Sequence, residues 1–441
     1  MKTILSRRSF VRTSSMGLAA TALLPGLHAQ AALQAAPVLI HIFLRGGADG
    51  LSLMIPRTGY GRQKYDQWRP GSINIPLSSS AAVDKGIALN ASFDTHPAMA
   101  PLVSGAGSPF GKNHLAFVAG VAGAVMSRSH FMQMDLIESG SSTNVPLASG
   151  CLARALDLLG LQEEPLAGVA MNPTVPLSLR GSGAQGIAVV DFQGFGSLPS
   201  GNYSADLEWG LDERLDNLNS TASCAITNPT CAAASLATGA LDELAGLGAI
   251  TTPSGDLQGT LLQLAEVIDL ADAGQLRVCT IDVGGWDTHT EQADTLAGMF
   301  AMVASALRAF HDDAEARGIL GRITVVVHSE FGRRADGNGT NGTDHGYGGT
   351  ALVMDASIKT KVITSGYFPN DAAHAFYSGI SEPSPGEEAF LIPKVVDVRQ
   401  VIGEALRFRL GLTNAQLKDG AGAVFPGYSI LDNGSLVLNL I

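Results

Sequence analysis

Five short runs hold most of the residues able to do chemistry. Asp49 follows the glycine pair in Arg45-Gly46-Gly47-Ala48-Asp49-Gly50. Ser127, Arg128, Ser129 and His130 stand together before the helical run Phe131 to Ser139. Asp287 and His289 are two apart in Gly284-Gly285-Trp286-Asp287-Thr288-His289. Glu330 follows an apolar run, and Asp344 and His345 close a Gly/Asn-rich loop. Carboxylates mixed with imidazoles form the O/N donor set that suits Zn²⁺, Mn²⁺ or another borderline divalent ion. Hydroxyls at a helix start face free backbone N–H groups and the positive end of the dipole, which favours an anion or an alkoxide forming from serine.

Those runs must be positioned by something rigid. Strand-like apolar segments recur at Pro37–Leu44, His114–Val121, Gly186–Asp191, Arg277–Val283, Arg322–His328 and Thr350–Met354. Between them lie helical patterns: Leu296, Phe300, Val303, Leu307 and Phe310 step by three and four, and Leu257 to Ala273 and Val398 to Leu410 read alike. Near-continuously apolar strands alternating with helices predict an α/β fold, doubly wound, with a mostly parallel sheet covered by helices on both faces. Ligands in such folds sit beyond the carboxyl ends of the strands, where each reactive run falls.

Met1 to Ala31 reads as an export signal, with the twin-arginine run Ser6-Arg7-Arg8-Ser9-Phe10-Val11, a small apolar stretch and Ala29-Gln30-Ala31 as cleavage site. The expectation is a periplasmic or secreted protein, carried folded by the twin-arginine machinery, with residues 32–441 as a single domain. The Ser/Asn/Thr/Gly-rich segment at about 196–252 reads as a helical insertion. No later stretch has the roughly 18 apolar residues of a membrane span. Cys224 and Cys231 bracket a short loop and are the favoured disulfide pair, whereas Cys151 and Cys279 are expected reduced in the core.

The 441 residues carry 28 basic and 40 acidic groups, a net charge of −12, which argues against a nucleic-acid partner. An anionic substrate then needs a cation or local arginines to reverse the field. Gly337 to Gly342 spells G-x-G-x-x-G, but it does not join a strand to a helix, so no dinucleotide site is expected. The Gly-x-Ser-x-Gly, Walker A and His-Glu-x-x-His patterns are absent. His41 and His328 fall inside strands, His311 on a charged helix face, and His96, His114 and His374 stand alone.

Phe43 to Gly50, Arg128-Ser129-His130-Phe131, Gly285 to His289, Ser329-Glu330-Phe331-Gly332-Arg333 and Gly342 to Gly346 together resemble the DUF1501 family, in family order. The likeness runs from about Pro37 to Tyr428. That family sits in the alkaline phosphatase/sulfatase-like superfamily. The resemblance implies an alkaline-phosphatase-like core and metal-assisted hydrolysis of phosphate or sulfate esters, small molecules or polysaccharides. By it Asp49, Asp287, His289, Glu330 and His345 would bind metal, with Asp344 a ligand or a supporting group. Ser129 or Ser127 would be the nucleophile, with His130 beside it, and Arg128 would hold an ester oxygen. The metal stays open among Zn, Mn, Ca and Mg. Phe331 stands where superfamily phosphatases carry a second metal-binding His, so a one-metal site is an expectation, and a noncatalytic cell-envelope binding protein is the alternative.

Overall fold

The computed structural model describes residues 36–181, 183–194, 239–240, 243–244, 247, 249–271, 276–364, 367–368, 391–392, 394–428 and 438–441. The segment expected to be an export leader, Cys224 and Cys231, His374 and most of the 196–252 segment lie outside them.

In chain order the strands are β1 (Val38–Leu44), β2 (Ile55–Pro56), β3 (Ile87–Ala88), β4 (Phe93–Thr95), β5 (Leu115–Ala122), β6 (Gly168–Ala170), β7 (Ile187–Ala188), β8 (Val278–Val283), β9 (Ile323–Ser329), β10 (Gly349–Asp355), β11 (Val362–Ile363) and β12 (Val396–Asp397). The described helices are α1 (Gly50–Leu53), α2 (Gly59–Trp68), α3 (Ala100–Val103), α4 (His130–Glu138), α5 (Cys151–Leu158), α6 (Leu257–Leu270), α7 (Gln292–Ala316), α8 (Val398–Leu410) and α9 (Asn414–Lys418).

The main sheet runs β11-β5-β10-β9-β1-β8-β6-β7, with β12 also on β5; β2, β4 and β3 form a small separate sheet. Pairing is parallel throughout the main sheet except at β10, which is antiparallel to both β5 and β9. β1, β5, β9 and β10 are buried along their whole length, as strands covered on both faces must be. The alternation along β1 assigns the two faces. Val38, Ile40, Ile42 and Leu44 pack with Leu261 and Leu264 of α6 and Phe300 and Leu307 of α7. Leu39 and Phe43 pack with Leu152 of α5 and Val401, Ile402 and Leu406 of α8. The mostly parallel, doubly covered α/β architecture is therefore present.

Each of the six expected strand segments contains a strand, although Gly186–Asp191 yields only Ile187–Ala188. α8 coincides with its expected span, capped by Asp397 in a capping box and ended by Gly411 at φ 77°. The strands of two or three residues carry too little periodicity to be read in advance.

α7 departs from the expectation about membrane spans, being long and apolar enough by length and composition alone to cross one. Its apolar stripe is part of the core, and Arg308, Asp312, Asp313 and Arg317 beyond its end pair with one another along the outer side. Cys151 and Cys279 are free and buried, with burial pushing the Cys151 thiol up to about 11.

Candidate metal centre

Four parallel strands end at one edge: β1 at Leu44, β5 at Ala122, β8 at Val283 and β9 at Ser329. Because β10 runs the other way, its start at Gly349 lies at that same edge. The antiparallel strand thus returns Asp344 and His345, which precede it, to the ends of the strands that precede the other reactive runs. An isolated bridge between Arg333 and His345 ties that loop down.

Three imidazoles and a carboxylate cluster there: His130, Asp287 and His345 each offer one ligand atom within 4.8 Å of the other two, and His289 stands beside His345 and Asp287. Nε2 of His345 lies 3.0 Å from Nε2 of His130 and 3.0 Å from Nε2 of His289. Asp287 Oδ1 is 2.9 Å from the first of these atoms and 3.0 Å from His289 Nε2, and Asp287 Oδ2 is 3.5 Å from His130 Nε2. The opposite ring nitrogens are all engaged with groups that only accept. His130 Nδ1 lies 2.7 Å from Glu330 Oε1, His289 Nδ1 3.1 Å from Asp344 Oδ1, and His345 Nδ1 3.0 Å from the Arg128 carbonyl. A carboxylate or carbonyl oxygen cannot donate, so a neutral ring that bonds it through Nδ1 carries its proton there and leaves Nε2 a lone pair, the form able to ligate a metal beside Asp287. Burial, opposed by the adjacent Asp287 carboxylate, lowers the His345 pKa, which favours the neutral ring at neutral pH.

Lone pairs 3 Å apart with no proton between them repel, and a cation at their focus removes the conflict. The spacing fits: neighbouring donors of a tetrahedral Zn²⁺ shell with bonds of about 2.0–2.1 Å lie about 3.3 Å apart. Imidazoles whose far N–H is held by a carboxylate or carbonyl are the usual metal-ligating arrangement. The residues present therefore fit a divalent ion.

Each orienting group is itself held. Glu330 is fully buried, accepting from the Gly46 N–H (2.8 Å) and the Ser329 hydroxyl (2.8 Å). Asp344 accepts from Asn338 Nδ2 (3.1 Å), which also donates to the His289 carbonyl (2.9 Å). The glycine-rich loop is thus a brace for His289. Arg333, buried, donates to Asp287 Oδ1 at 2.7 Å and to the carbonyls of Gly46, Gly47, Trp286 and Thr343. Burial pushes the Asp287 carboxyl up, but the neighbouring His345 ring and the Arg333 guanidinium outweigh it and hold it down to about 2. Gly46 has φ 127°, and a Cβ there would lie 2.5 Å from the Asp287 nitrogen, so only glycine lets the two turns approach.

The structure brings together Asp287, His289, His345 and His130, with Glu330 and Asp344 behind the rings. It does not bring Asp49 there, which corrects its expected placement as a ligand. Asp49 caps α1, and both its oxygens are taken by Arg69, with Ser52 Oγ (2.7 Å) and Gln292 Nε2 (2.9 Å) completing the set. Both Asp49 and Arg69 are fully buried, and burial raises the carboxyl while Arg69 more than offsets it, so the pair stays ionised. Glu330 is likewise spent on the far side of His130, not offered to the Nε2 focus. Phe331 is buried with its ring centroid 4.9 Å from those of both His130 and His345, so it fills the space beside the cluster with hydrocarbon.

Ser129 is the N-cap residue of α4 but makes no side-chain capping bond and is exposed. The Ser127 hydroxyl accepts the Ser129 N–H at 3.2 Å, and Gln133 Oε1 accepts the Ser127 N–H at 2.9 Å. Arg128, Arg334, His289, Asp344 and His345 line an open cleft of about 380 Å³. Arg333, Arg334 and Asn338 stood in the sequence without a role assigned. Arg333 closed the Ser329–Arg333 motif, and the signal for Arg334 and Asn338 was proximity to Glu330 and Asp344.

Residues 232–379 match the model of DUF1501, a family of proteins of unknown function. That stretch includes Asp287, His289, Glu330, Asp344 and His345. No curated protein matches the chain. Among solved structures, it is similar to a protein in the alkaline phosphatase superfamily from Vibrio parahaemolyticus, at 9% identity and TM-score 0.31, covering 75% of this chain and 62% of that one. The chain thus spans about three-fifths of that structure. A Bacteroides thetaiotaomicron protein labelled 4S-sulf, described with the metabolism of multiple glycosaminoglycans, matches at 9% identity and TM-score 0.31 over 74% of this chain and 69% of that one.

Proposed function

We propose that this chain is an exported, metal-dependent hydrolase of phosphate or sulfate esters. The observation carrying this reading is the convergence of three imidazole lone pairs and one carboxylate beside a cleft lined by two arginines. His130 and His345 through Nε2, with Asp287, would hold one divalent ion, His289 Nε2 would be the candidate fourth donor from beside His345, and imidazole-rich ligation favours Zn²⁺ over Mg²⁺ or Ca²⁺. Once bound, such an ion polarises an ester oxygen and neutralises charge developing on it.

The chain's own groups supply the rest. Arg128 and Arg334 offer guanidinium donors to the ester's anionic oxygens and reverse, locally, the negative charge of the whole chain. Ser129 is the better nucleophile of the two serines, because the Ser127 hydroxyl is committed to the turn. Its oxygen would bond to the phosphorus or sulfur while the bond to the leaving alcohol breaks, the serine proton passing to the departing oxygen, and water would then cleave the serine ester and restore the hydroxyl. Glu330, Asp344 and the Arg128 carbonyl keep the rings in the ligating tautomer, and Arg333 keeps Asp287 ionised and aimed. Phe331 restricts the cluster to a single ion. The twin-arginine run Ser6 to Val11 supports delivery to the periplasm or beyond, after folding and ion loading in the cytoplasm.

The test is metal content of the purified full chain together with turnover of aryl phosphates and aryl sulfates with added Zn²⁺, Mn²⁺, Ca²⁺ or Mg²⁺. Turnover that disappears in Ser129→Ala while the ion is retained supports the reading. A fully loaded protein that hydrolyses nothing on the panel overturns it and leaves the noncatalytic envelope-binding alternative.

A further inference from the structure

A second group of metal-ligating side chains lies at the other edge of the sheet. One ligand atom each from His114, His311 and Glu315 falls within 4.8 Å of the other two. His114 immediately precedes β5, so it stands at the end of that strand opposite to Ala122. His311 and Glu315 are four residues apart near the end of α7 and share one face of it. The sequence placed His311 on a charged helix face and His114 alone; in the fold His311 is fully buried and paired with His114.

The tautomer logic of the first cluster applies here too. His311 Nδ1 lies 3.0 Å from Asp312 Oδ1, so it carries the proton and Nε2 presents a lone pair. That lone pair faces His114 Nδ1 at 3.0 Å. The Glu315 carboxylate is ion-paired with Lys112 Nζ, and both side chains are about one-third or more exposed. Lys112 brings a single charge on a flexible stem to a spot where two imidazoles and a carboxylate already converge.

We propose that His114, His311 and Glu315 form a second divalent-ion site of the two-histidine, one-carboxylate kind, suited to Zn²⁺, Co²⁺ or Ni²⁺, with Lys112 as a displaceable competitor. Binding moves the His114 proton from Nδ1 to Nε2, a tautomer change within a neutral ring, and frees Lys112 to solvent. The ion would clamp the end of α7 to the start of β5. The first residue of α7, Gln292, bonds Asp49 and Thr343 at the other end of that helix, so the clamp would brace the helix that reaches toward the first cluster. The site uses none of the residues of the hydrolase reading and stands or falls separately from it.

Co²⁺ titration of the full chain, read by equilibrium dialysis and visible absorption, tests this. The expected result is one fewer Co²⁺ per chain in His114→Ala, affinity for that ion about tenfold or more weaker in Glu315→Gln, and tighter binding in Lys112→Ala. Circular dichroism confirms that each variant is folded, and the partly exposed Lys112 and Glu315 give readouts that do not require disturbing the core. Equal stoichiometry in wild type and His114→Ala, or a Lys112→Ala chain that binds no more tightly, overturns the proposal. Failure of the hydrolase reading would show as absent ester turnover, which none of these measurements reads.

Discussion

Asp344 Oδ1 sits 3.1 Å from Nδ1 of His289, on the side of the ring turned away from His345. The carboxylate therefore sets which nitrogen carries the proton, without reaching the Nε2 focus itself. Removing it in Asp344→Ala is expected to weaken ion binding about 10–100-fold and not abolish it. His345→Ala removes a donor at the centre of the cluster and is expected to abolish tight retention. Competition titration against a chromophoric chelator distinguishes the two; equal losses would show that Asp344 is a ligand.

Asp49→Ala is expected to destabilise the fold while sparing the ion site. It strands the buried Arg69 guanidinium, a loss of about 3–5 kcal/mol, measurable by urea unfolding. Elemental analysis of the folded fraction should still find the ion. A folded, metal-free Asp49→Ala chain would return Asp49 to the ligand set.

Gly46→Ala forces a Cβ against the Asp287 backbone in a conformation L-residues rarely adopt. The expected outcome is displacement of the Asp287 turn and weaker ion binding, seen by calorimetry. Unchanged affinity would show that the two turns separate without consequence for the cluster.

His41 and His328 give the stability a defined pH dependence. They lie side by side on β1 and β9, Nε2 to Nε2 at 2.7 Å, with His328 Nδ1 3.0 Å from the Ser329 carbonyl. Burial lowers both, His328 to about 4 from an ordinary 6.5. Between those values the unfolded chain binds more protons than the folded one, so stability rises with pH across that window. It is complete above about pH 6.5 and falls by about 3 kcal/mol from His328 alone as pH drops toward 4. Urea midpoints measured at pH 7, 5.5 and 4 should fall in that order, and a His41→Leu/His328→Leu variant should flatten the trend. A wild-type midpoint constant over this range would refute the account.

The serines offer a sharper comparison. Ser129→Ala is expected to lower kcat by orders of magnitude with the ion retained, whereas Ser127→Ala should cost far less, since its hydroxyl only supports the turn before α4. Parallel assays with metal quantitation decide between them, and the reverse ranking would make Ser127 the nucleophile.

The periodic apolar runs were enough to specify β1, β5, β8, β9, β10, α6, α7 and α8, because each buries a continuous stripe or both faces and its composition records that. The same runs placed the reactive residues after strand ends, and Asp287, His289 and His345 do meet there. What the sequence held no record of is direction and partnership. Antiparallel β10 is what returns His345 to the edge where Asp287 and His130 already stand, and a strand's direction leaves no mark on its composition. Asp49 occupies a strand-end position as suggestive as that of Asp287, yet Arg69, twenty residues on, folds back and takes both its oxygens. The division of labour between His130 and Glu330, or between His289 and Asp344, depends on which ring nitrogen faces which oxygen. Residue types fix what each group is able to do; only the tertiary contacts choose the proton's position, and with it the ligand.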